Sequence, residues 1–172
     1  MKKYFIVAGE PSGDLHGSKL IKAIKHLNPN SSFMGHGGDS MRNEGMHIIE
    51  HVDSLAIMGF AEVLRHLPRM NKIMRNTVGA IERSKPDRVI LIDYPGFNLR
   101  LAKRLSPLKI PITYFILPQA WAWKQRRVEV LKRFIDQSIS IFPFENDWYK
   151  KHGLRVDYFG HPFVDIEHFN ET

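Results

Sequence analysis

The stretch Val89-Ile90-Leu91-Ile92-Asp93-Tyr94-Pro95-Gly96 predicts a buried β-strand that ends abruptly. Four consecutive apolar residues fit a strand with both faces covered, and the Pro-Gly pair that follows is typical of a turn. Asp93 therefore comes at the carboxyl edge of a strand, where open α/β sheets bind their ligands. Because a carboxylate loses water in such a crevice, its presence there indicates a function and makes Asp93 the leading candidate residue.

Apolar runs of this kind alternate with helical patterns along the whole chain. We predict strands at 3–8, 32–35, 47–51, 87–92, 112–117, 138–142 and 156–159, and helices at 14–27, 39–45, 59–67, 69–84, 97–106, 122–135 and 144–152. Repeated βα units with buried strands indicate an α/β fold, with a mostly parallel sheet that carries helices on both faces. Pro68 suits the first turn of a helix, so we expect two helices with a bend within 59–84.

Composition limits the class of protein. The 172 residues suffice for one sizeable domain, and 43% hydrophobic with 25% charged residues is ordinary for a soluble globular chain. Cysteine is absent from the sequence, which excludes disulfides and thiolate metal sites and favours a reducing cytosol. Glu10 interrupts the first apolar run before it is long enough for a signal peptide, so we interpret that run as the first strand.

The charge balance leaves two interpretations open. The chain has 25 Lys and Arg residues against 18 Asp and Glu residues, a net charge of +7. Such an excess favours polyanionic partners, among them nucleic acid, anionic lipid and phosphorylated substrates. A merely soluble basic surface explains the same numbers equally well.

The turn after the first strand, Gly9-Glu10-Pro11-Ser12-Gly13-Asp14, also permits two interpretations. A glycine-containing turn before a helix offers free backbone N–H groups that bind anions. Alternatively, Ser12 or Asp14 simply caps the helix at 14–27, whereas Glu10 is not needed as a cap and is expected to contact a ligand. The G-x3-G-x3-G spacing differs from the G-x-G-x-x-G of dinucleotide-binding folds and disfavours a nicotinamide cofactor.

The stretch Gly35-His36-Gly37-Gly38 predicts a tight turn that lets a ligand approach the backbone. A dinucleotide pocket is the less favoured alternative, because Ser40 replaces the last glycine of that motif. A lone histidine in such a stretch is more often a turn residue than a catalyst.

Two further segments place large apolar side chains beside basic ones. The helix that begins around Met58 and Gly59 carries several cations among its apolar residues, namely Arg65, Arg69, Lys72 and Arg75. It either lies on a membrane surface or packs on the core. Trp121-Ala122-Trp123 precedes a basic run and fits a site for a sugar, a lipid or a nucleic acid, or a buried helix start. We expect no nucleic-acid partner and no metal site, since no recognisable module or metal-ligand set is present.

Glu145 and His161 complete the set of candidates. They occur in Pro143-Phe144-Glu145 and Gly160-His161-Pro162, and each of these stretches follows a predicted strand. Because the carboxyl ends of parallel strands meet at one edge, the loops that carry these residues are expected to converge with the loop at Asp93 on a single site.

Taken in order, these motifs resemble the lipid-A-disaccharide synthases, glycosyltransferases with two Rossmann-like domains in the GT-B arrangement. The matching stretches are Ala8-Gly9-Glu10-Pro11-Ser12-Gly13-Asp14, Gly37-Gly38 with Met41, Met58-Gly59 with Glu62-Val63-Leu64, Asp93-Tyr94-Pro95 with Phe97-Asn98-Leu99-Arg100, Trp121-Ala122-Trp123, Pro143-Phe144-Glu145 and Gly160-His161-Pro162. Each stretch is weak alone, but the ordered set is specific.

The resemblance implies an acceptor-binding Rossmann-like domain at 1–165 and the start of an interdomain linker at 166–172. Family members are longer, so the nucleotide-sugar domain is missing from this sequence and we expect the chain alone to be inactive. The implied reaction moves 2,3-diacylglucosamine from its UDP donor to 2,3-diacylglucosamine 1-phosphate, with a β-1,6 link and inversion. It takes place at the cytoplasmic face of the inner membrane and generally needs no cofactor and no metal.

Carried onto this sequence, the resemblance makes Asp93 the catalytic base that deprotonates the acceptor. The implied substrate-binding residues are Glu10, Ser12, Gly13, Asp14, Gly37, Gly38, Met58, Gly59, Asn98, Trp121, Trp123, Glu145 and His161. Among these, Glu10, Ser12 and Asn98 are expected to orient acceptor groups. The Met58 region and the two tryptophans are expected to accommodate acyl chains.

Two departures from the family pattern stand out. Gly96 occupies a position where the family often has a second acid, and Leu117-Pro118-Gln119-Ala120 replaces a Ser-Pro-Ser stretch. Three rival functions stay open: a non-catalytic module that binds lipid or sugar phosphate, another GT-B enzyme or sugar-nucleotide epimerase, and a nicotinamide-dependent enzyme, which the glycine spacing opposes. The sequence gives no indication of the oligomeric state.

Overall fold

The computed structural model describes residues 1–56, 63–121 and 126–161, and its centre is one parallel sheet. The strands are β1 (Lys3–Ala8), β2 (Ser32–Gly37), β3 (His47–His51), β4 (Arg88–Ile92), β5 (Ile112–Phe115), β6 (Gln137–Ser140) and β7 (Asp157–Tyr158). Their spatial order is β3-β2-β1-β4-β5-β6-β7, and every neighbouring pair is parallel. The predicted α/β class is therefore confirmed.

Helices connect these strands and cover both faces of the sheet. They are α1 (Pro11–Leu27), α2 (Asp39–Asn43), α3 (Val52–Ala56), α4 (Val63–Ser84), α5 (Pro95–Leu105), α6 (Arg126–Phe134) and α7 (Pro143–Lys151). Alternate residues of the central strands point to opposite faces. Phe5 and Leu91 pack in one buried cluster with α4, α5 and α6, whereas Ile6 and Ile92 pack in a second cluster with α1 and α2.

Several helices begin earlier than their periodicity predicts. Pro11, Pro95 and Pro143 each occupy the first helical position, where proline has a suitable φ and its missing N–H needs no partner. Pro68 behaves differently, because it lies inside a single helix that runs from Val63 to Ser84. The expected break into two helices at Pro68 is therefore wrong; a proline there removes one backbone donor without ending the helix.

The strand order reverses between β1 and β4, and this reversal creates a crevice. β1 leads to α1 and β2 on one side of the sheet, and β4 leads to α5 and β5 on the other. The two connections separate at the carboxyl ends of neighbouring strands, which leaves an opening between them. The turns at Gly9–Glu10 and Asp93–Tyr94 therefore face each other across this opening.

His36 lies within β2 and is buried, so its interpretation as a turn residue is wrong. Its Nε2 donates to Thr77 Oγ1 over 2.9 Å, because the Thr77 hydroxyl itself donates to the Ile73 carbonyl at 2.7 Å. Burial lowers the pKa of His36 to about 4. The imidazole is therefore a neutral part of the core.

Asp14 caps α2 rather than its own helix. Its Oδ1 accepts hydrogen bonds from the backbone N–H groups of Gly38 at 2.7 Å and Met41 at 3.0 Å, and its Oδ2 accepts one from Ser40 at 3.0 Å. The expectation that Asp14 caps the helix at 14–27 is wrong, since α1 begins at Pro11 and already contains it. The N-cap residue of α2 is Gly38, which has no side chain that could accept these hydrogen bonds. The Asp14 carboxylate of α1 therefore satisfies the free N–H groups at the start of α2.

Gly37 and Gly38 are required by this same packing. A Cβ atom on Gly38 would lie 2.6 Å from Asp14 Oδ2, and one on Gly37 would lie 2.7 Å from Met41 Sδ. Glycine is needed at these two positions because side chains of the protein itself, Asp14 and Met41, occupy the space where a Cβ atom would lie. The predicted tight turn is also wrong in its bounds, because β2 continues through Gly37.

We predict that Asp14→Ala lowers the free energy of unfolding by about 2–3 kcal/mol, since three backbone donors, two of them buried, lose their acceptor. Asp14→Asn keeps one acceptor oxygen and is expected to cost less. Urea unfolding at pH 7 measures the difference, with Asp39→Ala as the control because Asp39 lies exposed in the first turn of α2, the helix that Asp14 caps. A loss no greater than that of the control contradicts the assignment of Asp14 as the cap.

Candidate active site

Asp93 and Tyr94 form an unusual turn directly after β4. Their φ angles are +45° and +48°, a left-handed conformation that non-glycine residues adopt at a cost of about 1–3 kcal/mol each. The Asp93 carbonyl accepts hydrogen bonds from Tyr114 Oη at 2.6 Å and Asn98 Nδ2 at 2.8 Å, and its N–H donates to the Phe115 carbonyl at 3.0 Å. The surrounding side chains therefore fix the backbone of Asp93 in this conformation.

Asn98 is fully buried, and its amide serves this turn. Besides the Asp93 carbonyl, Nδ2 lies 3.2 Å from the Ile92 carbonyl and 3.4 Å from the Val7 carbonyl. A side chain held among three carbonyl groups inside the protein does not reach a sugar in the crevice. The expectation that Asn98 orients the acceptor directly is therefore corrected: it positions Asp93.

Gly9 allows the two turns of the crevice to touch. A Cβ atom on Gly9 would overlap the ring of Tyr94, so a glycine is needed where β1 ends. Glu10, the next residue, is exposed, and its charge raises the pKa values of both Asp93 and Tyr94. The Glu10 carboxylate therefore lies close enough to interact with the Asp93 turn.

A cavity of about 370 Å³ opens beside the Asp93 side chain. Its walls come from the start of α1, the turn after β4, the loops after β5 and β6, and one residue of α6. The lining residues are Ser12, Gly13, His16, Asp93, Pro95, Ile116, Leu117, Pro118, Gln119, Arg127, Ile141 and Phe142. The structure thus brings Asp93, Ser12 and Gly13 together at the edge where the sequence predicted a site.

The environment of Asp93 changes its acidity. Burial is the largest cause and Glu10 the second, and together they raise the pKa of the Asp93 carboxyl to about 6. A hydrogen bond from the backbone N–H of Tyr94 and the charge of Arg127 act in the opposite direction. A carboxylate whose pKa lies just below neutrality can accept a proton from a reacting hydroxyl and is still largely ionised at pH 7.

Glu145 is buried and supports the neighbouring loop. Its carboxylate accepts hydrogen bonds from Trp121 Nε1 at 3.0 Å and from the Ser140 hydroxyl. Tyr149, one turn further along α7, donates its hydroxyl to the Pro118 carbonyl. The expectation that Glu145 contacts substrate is corrected, because its carboxylate is occupied in holding the loop that carries Trp121.

Trp121 is partly exposed at the end of that loop, beside other aromatic rings. Its ring centroid lies 5.3 Å from that of Phe144, which in turn stacks on Phe142 at 5.7 Å. Since Phe142 also lines the Asp93 cavity, these three rings form an apolar surface that continues outward from it. We call Trp121, Phe142 and Phe144 the aromatic surface.

His161 lies outside the Asp93 cavity. Its ring is 5.7 Å from that of Phe142, but it lines a second, mostly apolar cavity of about 440 Å³ over β4, β5 and β6. Of the loop after β7, the structure describes residues up to His161, which acts on His16 of the Asp93 cavity but does not itself line that cavity. Met58, Gly59 and Trp123 fall outside the described residues, and so do Pro162 and the chain that follows it.

Sequence reasoning did not single out two side chains of the cavity. His16 is nearly buried in α1, close to Phe115, and burial followed by the charges of His161 and Lys19 lowers its pKa. Arg127 belongs to the basic run after the tryptophans, which was noted only as a whole. The local sequence offers no signal for His16, because only the fold brings it beside Phe115 of β5.

Among the described residues, no three His, Asp or Glu side chains lie close enough together to hold a metal ion. A helix long and apolar enough to cross a bilayer is likewise absent from the described ranges.

Comparison with known proteins identifies the family. The family model described as lipid-A-disaccharide synthetase matches residues 4–172. The lipid-A-disaccharide synthase of Alkalilimnicola ehrlichii is 42% identical over 160 residues, which are 93% of this chain and 42% of that protein. The synthase of Acidobacterium capsulatum is also 42% identical, over 94% of this chain and 40% of its own length. The chain therefore spans less than half the length of these curated relatives.

Solved structures agree on the fold. The Staphylococcus aureus MnaA–UDP co-structure superposes with a TM-score of 0.67 at 12% identity, covering 100% of this chain and 47% of that one. UDP-GlcNAc 2-epimerase from Neisseria meningitidis bound to UDP-GlcNAc gives a TM-score of 0.65, also at 12% identity, over 94% of this chain and 47% of that one. These likenesses are too distant in sequence to show more than a shared architecture. Because the family model covers nearly the whole chain, the protein belongs to the lipid-A-disaccharide synthetase family.

Proposed function

We propose that this chain binds the acceptor in a lipid-A-disaccharide synthase and supplies its catalytic base. The reaction would transfer 2,3-diacylglucosamine from its UDP donor to 2,3-diacylglucosamine 1-phosphate, with a β-1,6 link and inversion at the anomeric carbon. The observation that supports this most is the Asp93 carboxyl, on the wall of a crevice at the point where the strand order reverses, with a pKa of about 6. Membership of the family supplies the substrate class.

Asp93 would act on the primary hydroxyl of the acceptor. This hydroxyl is a weak nucleophile until its proton leaves, and a carboxylate within hydrogen-bond distance contributes roughly 10²–10⁴-fold by taking that proton. As the proton moves to Asp93, the acceptor oxygen forms a bond to the anomeric carbon of the donor sugar. The bond from that carbon to the UDP oxygen breaks on the opposite face, and UDP leaves as an anion.

Residues in and beside the cavity would hold the acceptor. Ser12 lines the cavity from the first turn of α1 and Glu10 immediately precedes that helix, so a hydroxyl and a carboxylate are available to bind sugar hydroxyl groups. The aromatic surface is apolar, partly exposed and continuous with the cavity, so it would receive an acyl chain. Donor contacts would come from the part of the relatives that this chain does not span, so we expect no turnover from the 172 residues alone.

We predict that Asp93→Asn lowers kcat by roughly 10²–10⁴-fold and leaves acceptor binding within a few fold, because the amide fills the same space but takes no proton. Turnover is measured with radiolabelled donor after the chain is joined to the carboxyl-terminal part of a curated relative. Asp147→Asn is the matched control, since Asp147 is an exposed carboxylate on α7. Near-normal turnover of Asp93→Asn rules out this residue as the base.

In the chain joined to the carboxyl-terminal part of a relative, kcat/KM should fall at acid pH. Since Asp93 must be ionised to act, kcat/KM is expected to rise with pH through about 6 and then level off. Several charged or titratable groups act on this carboxyl or share its cavity: Glu10 before α1, Tyr94 of the turn, Tyr114 of β5, Arg127 of α6 and His16 of α1. A profile that stays flat between pH 5 and 7.5 contradicts Asp93 as the titrating base.

We also propose that α4 contacts the inner-membrane surface. Over its described side chains the apolar residues Met70, Ile73 and Met74 pack on the core, whereas Arg69, Lys72 and Arg75 are spaced by three and lie exposed on one side. Each cation near an anionic leaflet is worth about 1 kcal/mol. A peripheral attachment that is mainly electrostatic follows from this arrangement.

Replacing Arg69, Lys72 and Arg75 by glutamine should weaken binding to phosphatidylglycerol-containing vesicles by roughly 100-fold, since three contributions of about 1 kcal/mol are lost. Vesicle co-sedimentation at low salt measures this affinity. A variant with Lys103, Arg104 and Lys109 changed to glutamine loses the same charge from exposed sites on α5 and the turn that follows it. Equal losses in both variants would show that net charge, not α4, determines the attachment.

A further inference from the structure

Arg127 differs from every other residue that lines the Asp93 cavity. Of the lining residues in the described chain, it is the one with a permanent positive charge. It lies in the first turn of α6 and is half-buried. Its position gives the cavity an acidic wall at Asp93 and a basic wall at α6.

Arg127 has no ionic partner among the described residues. No carboxylate in those ranges lies within 4.0 Å of its guanidinium, whereas other surface cations form such pairs. Its charge nevertheless lowers the pKa values of Asp93, Tyr114 and Tyr149. The guanidinium is therefore close enough to influence the inner end of the cavity but is not neutralised there.

A half-buried guanidinium with a free face fits a phosphate group. Arginine presents several N–H donors in a planar fork that matches two phosphate oxygens at once. Asp93, with Glu10 acting on it from outside the cavity lining, disfavours a phosphate on its own part of the wall because like charges repel. A sugar phosphate is therefore favoured in one orientation, with its phosphate at α6 and a distant hydroxyl at Asp93.

We propose that Arg127 binds the phosphate of the acceptor and thereby directs the reacting hydroxyl toward Asp93. This inference rests on the proposed function, because it assigns one subsite within the same cavity. Ser12 and Gly13, at the start of the 17-residue helix α1, line the cavity as well and add polar groups without a net charge. In the chain without ligand, the charge of Arg127 opposes the rise in the Asp93 pKa.

The direct test is a titration of the chain with glucosamine 1-phosphate, a water-soluble probe that carries the phosphate without acyl chains. We expect Arg127→Gln to weaken its binding by about 10- to 100-fold, the loss of a charge-assisted hydrogen-bonded pair. Arg127→Lys should restore part of the affinity. Glucosamine, which lacks the phosphate, should bind weakly and equally to the parent chain and to Arg127→Gln.

Arg126→Gln is the matched control. Arg126 is the preceding residue of α6, is exposed, and does not line the Asp93 cavity. Its substitution removes the same charge and should change the affinity for glucosamine 1-phosphate less than twofold. Circular dichroism and the urea midpoint establish that both variants are folded.

Three outcomes would overturn the inference. Equal binding of glucosamine 1-phosphate by the parent chain and Arg127→Gln overturns it directly, and so does an equal loss in Arg127→Gln and Arg126→Gln. Binding of UDP or pyrophosphate that depends on Arg127, with no such dependence for glucosamine 1-phosphate, would assign the residue to the donor diphosphate.

Turnover measurements distinguish an error in the Arg127 assignment from an error in the proposed function. In the protein joined to the carboxyl-terminal part of a relative, Arg127→Gln should raise KM for the phosphorylated acceptor about 10-fold or more and leave KM for the dephosphorylated acceptor unchanged. If Asp93→Asn abolishes turnover but Arg127→Gln affects both acceptors alike, only the Arg127 subsite is wrong. If the parent protein transfers no sugar to either acceptor, the proposed function itself fails.

Discussion

The carbonyl group of Asp93 is the point on which the site depends. Tyr114 and Asn98, from β5 and α5, both donate to it, and the Asp93 N–H bonds to β5. These contacts stabilise two consecutive residues with positive φ, which an isolated chain would avoid. The conformation places Asp93 on the wall of the crevice, so the geometry of the proposed base is determined by the buried side chains of Tyr114 and Asn98.

Opposing charges then set the chemistry of that carboxylate. Burial and Glu10 raise its pKa, whereas Arg127 and a backbone N–H lower it, and the balance lies near 6. A fully buried acid would be protonated at neutral pH, and an acid paired closely with arginine would be too weak a base. Keeping Arg127 near but not in contact avoids both extremes, and it leaves the guanidinium available to an anion.

Three further polar residues of the family motifs, two acids and one amide, have structural roles. Asp14 joins α1 to α2, Glu145 joins α7 to the loop of Trp121, and Asn98 joins α5 to the Asp93 turn. Each fixes the relative position of two elements at the same edge of the sheet. Polar residues of the site are thus arranged around one partly buried carboxylate on the cavity wall and several buried groups that hold its surroundings in place.

The sequence alone determined the α/β class, the strand that ends at Asp93 and the family, because apolar periodicity and the order of short motifs are local properties. It placed Asp93, Ser12 and Gly13 at one edge for the same reason, since parallel strands share their carboxyl ends. It could not separate Asp14, Asn98 and Glu145 from ligand contacts, because a polar residue in a loop has the same appearance whether its partner is a substrate or a distant backbone group. Only the tertiary structure brought Asp14 to residues 38–41, His16 and Arg127 to the cavity, and Tyr114 to Asp93, as these contacts join residues far apart in the chain whose distances are decided by how helices pack on the sheet.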